Sequence, residues 1–186
     1  MALTIVATAG SASANSFATE AEFIAYLEKR LNAHSGATTT GATCTDNEKR
    51  ALLEAGITLN QLAWKEGRTD TTQAMAWPRK WVYDPDAPNP AEIGDVEELY
   101  FDDTEIPARV KRGQMALAVE FLKAGTTDIA ALDATIGVKQ KTVDVLTTVY
   151  ADPHQRAQGL NRFPRVMAEI APLLEGSAGG IELSRV

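Results

Sequence analysis

Apolar residues recur at helical spacing in four separate parts of the chain. In the first, Thr19 is followed by Glu22, the spacing of a capping box in which each side chain bonds the backbone N–H of the other residue. The apolar side chains that follow share one helical face: Phe23, Ile24, Leu27 and Leu31. The pattern predicts an amphipathic helix that stops near Ala33, before Ser35 and Gly36.

The same signal predicts a second helix, with Thr45 and Glu48 as its capping box. Its apolar face then runs through Leu52, Ala55, Leu59, Leu62 and Ala63. Gly56 weakens this helix by about 1 kcal/mol relative to alanine, and we expect it to let a neighbouring helix approach closely. Residues 35–44 between the two helices are small and polar, and we expect a mobile loop there.

The apolar stretch before Pro78 is predicted to be helical and to end at Trp77, because the residue before a proline disfavours helical backbone. We predict that Trp77, Pro78 and Trp81 are structural anchors that fasten the following loop to the helices. The alternative is that these tryptophans stack on single-stranded bases beside Arg79 and Lys80, because aromatic side chains next to cations are typical of single-strand grooves.

Pro107 predicts the start of a long helix over about 105–123, and we count it as a fourth structural anchor. A proline in the first turn costs no hydrogen bond, since the N–H that it lacks has no partner there. Gly125 ends the pattern, as glycines commonly do after a helix. The predicted buried face consists of Ile106, Val110, Gln114, Leu117 and Phe121.

The C-terminal third holds a change of pattern. Residues 137–150 are rich in β-branched side chains that alternate with polar ones, which predicts a β-hairpin. A continuous helix over 139–150 is the competing prediction. Pro164 then opens a short helix that Gly176 closes. Its apolar residues are Phe163, Val166, Met167, Ile170, Leu173 and Leu174.

Both ends of the chain are poor in helical signals. Residues 1–16 are rich in alanine, serine and threonine and are expected to form an extended arm, with a short strand at Leu3–Ala7. The sequence therefore predicts a mainly α fold: a small bundle of about four helices with a minor β-hairpin element and extended N- and C-terminal arms. The expected organisation is one helical domain over 1–176 and a flexible arm over 177–186.

The C-terminal arm combines a glycine hinge with an apolar tip, Ile181, Leu183 and Val186. A tail of this kind is either a strand donated to a neighbouring molecule or a frayed terminus.

Charge changes this picture in one segment. The chain has 186 residues and a net charge of −7, with 45% apolar and 23% charged residues, as in an ordinary globular protein. Residues 84–105 hold nine acidic residues and no lysine or arginine, so the other 16 acidic residues face all 18 basic ones. Nucleic-acid-binding proteins usually carry a basic patch, whereas this acidic loop would repel phosphate.

Reactive chemistry is sparse. No phosphate-loop or dinucleotide-binding motif occurs, and His34, His154 and Cys44 are too few and too far apart for a zinc site. The acidic pairs lack the spacing of a calcium loop: Glu97–Glu98 and Asp102–Asp103. We therefore predict no catalytic, cofactor or metal residue, and no enzyme activity.

Three further features bear on partners and location. Arg156, Arg162 and Arg165 with His154 form a basic stretch that either meets nucleic acid or an acidic partner, or is a solvated face. No apolar run is long enough to span a bilayer, and the N-terminus lacks the basic region of a signal peptide. The lone Cys44 fits a reducing cytoplasm.

Several short motifs occur along the chain in a recognisable order. They are Met1-Ala2-Leu3-Thr4-Ile5, Ala14-Asn15-Ser16-Phe17, Ala74-Met75-Ala76-Trp77-Pro78-Arg79, Ile106-Pro107-Ala108-Arg109-Val110-Lys111, and Leu173-Leu174 followed by the C-terminal glycines. In this ordered set the chain resembles tailed-phage head–tail connector (adaptor) proteins that are labelled as a DnaT-like single-stranded-DNA-binding family. The acidic loop over 84–105 departs from the family pattern, and 126–160 match it only loosely.

The resemblance implies a structural virion protein. Its members are expected to form a homo-oligomeric ring, a dodecamer, in the neck between the portal protein and a tail or head-completion protein. They would be made in the host cytoplasm, without a cofactor or a membrane, and genomic DNA would pass through the channel without sequence-specific binding. The C-terminal arm would contact the portal through Ile181, Leu183, Arg185 and Val186. The alternative function is that of a single-stranded-DNA-binding replication accessory protein.

Overall fold

The computed structural model describes residues 3–31, 33–39, 41–88, 96–129, 140–143, 146–149 and 159–176. Within these residues the chain forms four α-helices: α1 (Glu20–Glu28), α2 (Asp46–Asn60), α3 (Ala108–Ala124) and α4 (Pro164–Ile170). Three short 3-10 turns lie at Val96–Leu99, Gly159–Arg162 and Ala171–Leu173. The predicted mainly helical fold is confirmed. The predicted C-terminal arm, with its portal-contact residues, lies outside the described residues, as do His154 and Arg156.

A small antiparallel sheet accompanies the helices. Strand β1 (Gln140–Val143) pairs with β2 (Leu146–Val149), and Gln140 lies opposite Val149. The hairpin prediction is therefore confirmed over the competing helix. The β-branched residues that distinguish this segment favour a pleated strand over a helix.

Helix α3 is the centre of the bundle, because α2 packs on one side of it and α4 on another. Both contacts depend on glycine. A Cβ atom on Gly56 would lie 2.8 Å from Nε2 of Gln114, and one on Gly113 would lie 2.6 Å from Cγ2 of Ile170. The expected close approach at Gly56 is thus present, and Gly113 plays the same part between α3 and α4.

Replacing Gly113 with valine is expected to lower the free energy of unfolding by about 2 kcal/mol, because the buried Ile170 side chain leaves no room for added methyl groups. The measurement is urea unfolding followed by circular dichroism. Ala124→Val is the control, since Ala124 is an exposed residue at the end of the same helix. Equal stability of Gly113→Val and the control would contradict the packing described here.

The predicted capping boxes are confirmed, and Pro107 precedes α3 as its N-cap. Three predicted ends are wrong: α2 stops at Asn60, before Leu62 and Ala63, α4 stops at Ile170, before Gly176, and α1 stops early. Both capping boxes are present; in α1 the Thr19 N–H donates to Oε2 of Glu22 over 2.7 Å and the Glu22 N–H to Oγ1 of Thr19 over 3.2 Å. Gly125 ends α3 in the left-handed conformation, with a φ of 69°. Helix α1, however, ends at Glu28 and not near Ala33, and Leu31 of the predicted apolar face is 94% exposed.

Residues 35–39 and 41–44 of the predicted loop are irregular, and Thr38 and Cys44 among them are buried. One other local prediction was wrong. The segment before Pro78 is not helical: the buried Gln73 side chain instead donates to the carbonyls of Met75 and Pro78 over 2.8 and 3.0 Å. The Gln73 side chain thus pairs with backbone carbonyls directly, without the hydrogen bonds of a helix.

The N-terminal arm contains no strand in residues 3–16, but it folds back on the bundle. The Asn15 side chain accepts a hydrogen bond from the Val6 N–H over 2.8 Å and donates one to the Thr4 carbonyl over 2.9 Å. Phe17, at its end, is fully buried. The predicted extended arm is therefore a packed, irregular segment.

The buried side chain of Gln114 holds this arm to the helices. Its Oε1 accepts from the N–H groups of Phe17 and Ala18 over 2.8 and 2.9 Å. Its Nε2 donates to Oγ of Ser16 over 2.9 Å and to the Leu52 carbonyl on α2 over 2.7 Å. One amide thus joins the arm, α2 and α3.

Candidate functional site: an aromatic cleft

The indole of Trp77 is the buried foundation of the site. It is fully buried, and its ring meets Trp64 and Phe101 edge-to-face at centroid distances of 5.7 and 6.0 Å. Phe101 lies near the C-terminal end of the acidic loop, and its N–H donates to the Val82 carbonyl over 3.0 Å. The two ends of the acidic loop are therefore held side by side, which brings residues 81–83 next to residue 100.

The side chain of Arg79 stabilises the backbone beneath the cleft. Its guanidinium donates to the backbone carbonyls of Lys65 over 2.7 Å and Trp64 over 3.1 Å, and also to those of Ala76 and Glu66. Burial and the neighbouring charge of Arg68 lower its pKa from the ordinary arginine value. Since its donors are used within the fold, Arg79 is not free to bind phosphate.

Trp81, unlike the buried Trp77, is exposed to solvent. Its side chain is 66% exposed, and its backbone is in the left-handed region, with a φ of 61°. A non-glycine residue in this region costs on the order of 1 kcal/mol. The conformation persists because the surrounding structure stabilises it, and in this conformation the indole lies toward solvent. The prediction of Trp81 as a core anchor was wrong, because most of its side chain is exposed to solvent.

Two tyrosines complete an exposed aromatic surface. Tyr100 meets Trp81 edge-to-face at 5.9 Å and Tyr83 at 6.4 Å, and Tyr83 is 49% exposed. An isolated β-bridge between Tyr83 and Tyr100 fixes this arrangement. We call the space lined by Trp81 and Tyr100 the aromatic cleft, and Tyr83 flanks it through its contact with Tyr100.

The cleft has a volume of about 540 Å³ and walls of mixed charge. Lys80 supplies one cation, and Glu98, Asp102 and Asp103 supply three carboxylates. Hydrogen bonds from the hydroxyl and N–H of Thr104 lower the pKa of Asp102. At neutral pH the lining is therefore negative on balance.

The carboxylates differ in what they already bind. Oδ1 of Asp102 accepts from both donors of Thr104, over 2.7 and 2.6 Å. In the described part of the chain no hydrogen bond reaches the carboxylates of Glu98 and Asp103, although the Asp103 carbonyl accepts from Oγ1 of Thr69 over 2.8 Å. Two carboxylates of the cleft thus have acceptor oxygens available to a ligand.

Glu48, an acid whose pKa is strongly lowered, is enclosed by the protein. Its carboxylate accepts from the N–H of Thr38 over 2.9 Å, from the Thr38 hydroxyl, from the N–H of Thr45 over 2.8 Å and lies 2.8 Å from Nε2 of His34. Burial alone would raise its pKa, but these hydrogen bonds outweigh burial and lower the pKa to about 2. Glu48 therefore stabilises the fold and has no room for a ligand.

Metal chemistry finds no support in the described residues. Within them, no group of three or more histidine, cysteine or acidic side chains is placed to hold an ion. Burial, with the charges of Glu48 and Glu20, raises the pKa of the Cys44 thiol to about 12, which keeps it protonated and unreactive. No described helix is long and apolar enough to cross a membrane.

The predicted basic stretch is only partly described. Arg162 and Arg165 are exposed and line a smaller groove of about 220 Å³, which also contains Glu120 and Phe163. The groove is of mixed charge, so these residues do not make a purely basic surface.

Comparison with known proteins adds a family. A family model described as "Putative DnaT-like ssDNA binding protein" matches residues 1–186. The chain belongs to this family. No curated protein and no solved structure gives a match.

The sequence predicted part of this cleft. The alternative role for Trp77, Arg79, Lys80 and Trp81 treated them as one cluster, and the structure divides it: two residues build the interior, and Lys80 and Trp81 face solvent. Tyr83 and Tyr100 were not among the predicted site residues. No short spacing identifies them, because the β-bridge that brings Tyr100 to Tyr83 joins residues that are distant in sequence.

Proposed function

We propose that the protein binds single-stranded DNA by stacking bases in the aromatic cleft. The observation that carries the proposal is the exposed indole of Trp81, held outward beside Tyr100 and Tyr83. The description of the family as single-stranded-DNA-binding supports it. A base stacked on an aromatic side chain contributes about 1–3 kcal/mol, and every base can stack.

The charges of the cleft set the character of this binding. Lys80 can neutralise a phosphate, whereas the three carboxylates repel the backbone. Each phosphate neutralised on a single strand contributes a salt slope of about −0.7. With a single cation at the cleft, we expect a slope no steeper than this, so stacking supplies most of the affinity.

Replacing Trp81 with alanine is expected to weaken oligonucleotide binding by roughly tenfold to a hundredfold, the loss of one or two stacked bases. Fluorescence anisotropy with a labelled oligonucleotide of about 15 nucleotides measures the dissociation constant at fixed salt. Trp81→Phe is the matched control, because it keeps an aromatic face. Tryptophan emission gives a second measure: Trp64 and Trp77 are buried, so quenching by DNA reports on Trp81. Unchanged binding by Trp81→Ala would contradict the proposal.

A second candidate is a non-catalytic head–tail connector of a phage virion. The ordered motifs shared with connector proteins favour it, and so does the acidic cleft, which suits a basic protein partner better than a nucleic-acid backbone. In this role the chain would form a dodecameric ring in the virion neck, between the portal and a tail or head-completion protein. Genomic DNA would pass through without being held.

The two candidates give different results with purified protein. A connector is expected to have the mass of a ring in solution or to co-migrate with a portal, and to lack measurable single-strand binding. Deleting 177–186 should then abolish portal attachment and leave the helical circular-dichroism signal unchanged. A monomeric protein that does not bind the portal and binds oligonucleotides through Trp81 would exclude the connector function.

A further inference from the structure

We infer that the aromatic cleft prefers guanine over the other bases, because its free carboxylates accept hydrogen bonds from the guanine edge. The inference rests on the proposed binding of single strands. It follows from a combination within one cleft: an exposed indole for the face of a base, and carboxylate oxygens beside it for the edge.

The donor pattern of the bases decides the preference. An ionised carboxylate only accepts hydrogen bonds, and its two oxygens can accept two parallel donors. The Watson–Crick edge of guanine offers two adjacent donors, the ring N1–H and the exocyclic N2–H₂, and unstacked bases are read on this edge. Cytosine and adenine offer a single amino group next to an acceptor. Thymine offers one N–H between two carbonyl oxygens, which a carboxylate repels.

The available acceptors are Glu98 and Asp103. Neither carboxylate receives a hydrogen bond from the described residues, whereas Oδ1 of the third, Asp102, is bonded by Thr104. The Asp103 backbone is fixed by the hydroxyl of Thr69, 2.8 Å from its carbonyl. Glu98 is exposed at the end of a 3-10 turn that leads directly into Tyr100. Both therefore line the cleft beside Trp81 and receive no hydrogen bond within the described part of the chain.

The test places one variable base in a thymine strand. Oligonucleotides with a central guanine, hypoxanthine, cytosine, adenine or thymine are titrated by anisotropy against the full-length protein. Hypoxanthine is the matched ligand, because it lacks only the N2 amino group. A bidentate base contact predicts about tenfold tighter binding of guanine than of thymine, with hypoxanthine clearly weaker than guanine.

Charge-neutral variants connect this preference to its residues. Glu98→Gln with Asp103→Asn is expected to reduce the guanine-to-thymine ratio to about one. Asp102→Asn removes the same charge from the same cleft and should keep the ratio, since its carboxylate is engaged by Thr104. Both changes reduce repulsion of the backbone, so the ratio and not the absolute affinity is the decisive quantity.

The outcomes distinguish the guanine preference from the single-strand binding on which it rests. Equal binding of all five strands, still dependent on Trp81, would overturn the guanine preference and leave single-strand binding in place. A preference that survives Glu98→Gln with Asp103→Asn would also overturn it. Absence of binding to every strand would overturn the proposed function itself.

Discussion

Replacing Glu48 with alanine is expected to lower the free energy of unfolding by about 3–5 kcal/mol, because the donors around a fully buried carboxylate would lose their acceptor. The Thr38 N–H and hydroxyl, the Thr45 N–H and His34 all converge on this group. The loss should exceed that of Thr45→Ala, which removes the cap and one hydroxyl donor to the carboxylate and costs about 1–2 kcal/mol. Urea unfolding at pH 7 measures both.

Acid gives the same residue a second test. The pKa of Glu48 is lowered to about 2 from an ordinary value of 4.5. Its carboxylate therefore stabilises the fold fully above pH 4.5, and this contribution is lost as the pH falls toward 2. The shift corresponds to about 3 kcal/mol. Glu48→Gln should make the free energy of unfolding less dependent on pH between about 4.5 and 2. An unchanged pH dependence in that variant would contradict the role given to Glu48.

The second large effect is expected at Gln114. Gln114→Ala should lower the free energy of unfolding by about 3–5 kcal/mol, since it leaves a cavity and removes the acceptor of the Phe17 and Ala18 N–H groups. Gln114→Met keeps most of the volume without the hydrogen bonds, so the difference between the two variants isolates the cavity.

Limited proteolysis adds a local measure of the same contact. Cleavage within residues 3–16 should be faster in both Gln114 variants, because the arm loses its attachment before the helices unfold. Faster cleavage in the alanine variant alone would mean that packing, and not the amide, holds the arm.

Local signals in the sequence were sufficient for much of the fold. The capping boxes at Thr19 and Thr45 and the glycine after α3 act within a few residues, so their spacing alone identifies the helix boundaries. The early end of α1 was not predictable in this way. Leu31 continues the apolar face in sequence, but no neighbouring element covers it, and it stays in solvent.

The site depends on contacts that sequence spacing does not reveal. Trp77 and Phe101 are distant in sequence, yet their packing brings Tyr100 to Trp81. Whether a tryptophan is buried or exposed follows from the backbone around it, and the left-handed conformation of Trp81 has no signature in the residue itself. The buried Trp77 and the exposed Trp81 are therefore only four residues apart in one short motif.

The bond between Gln114 and the N-terminal arm has a consequence for synthesis of the chain. The ribosome adds Phe17 97 residues before the side chain that will hold it. Until the central helix has emerged, the nascent arm lacks the acceptor of the Phe17 and Ala18 N–H groups and cannot complete its docking. A segment made early thus depends on a side chain made much later for its final place in the bundle.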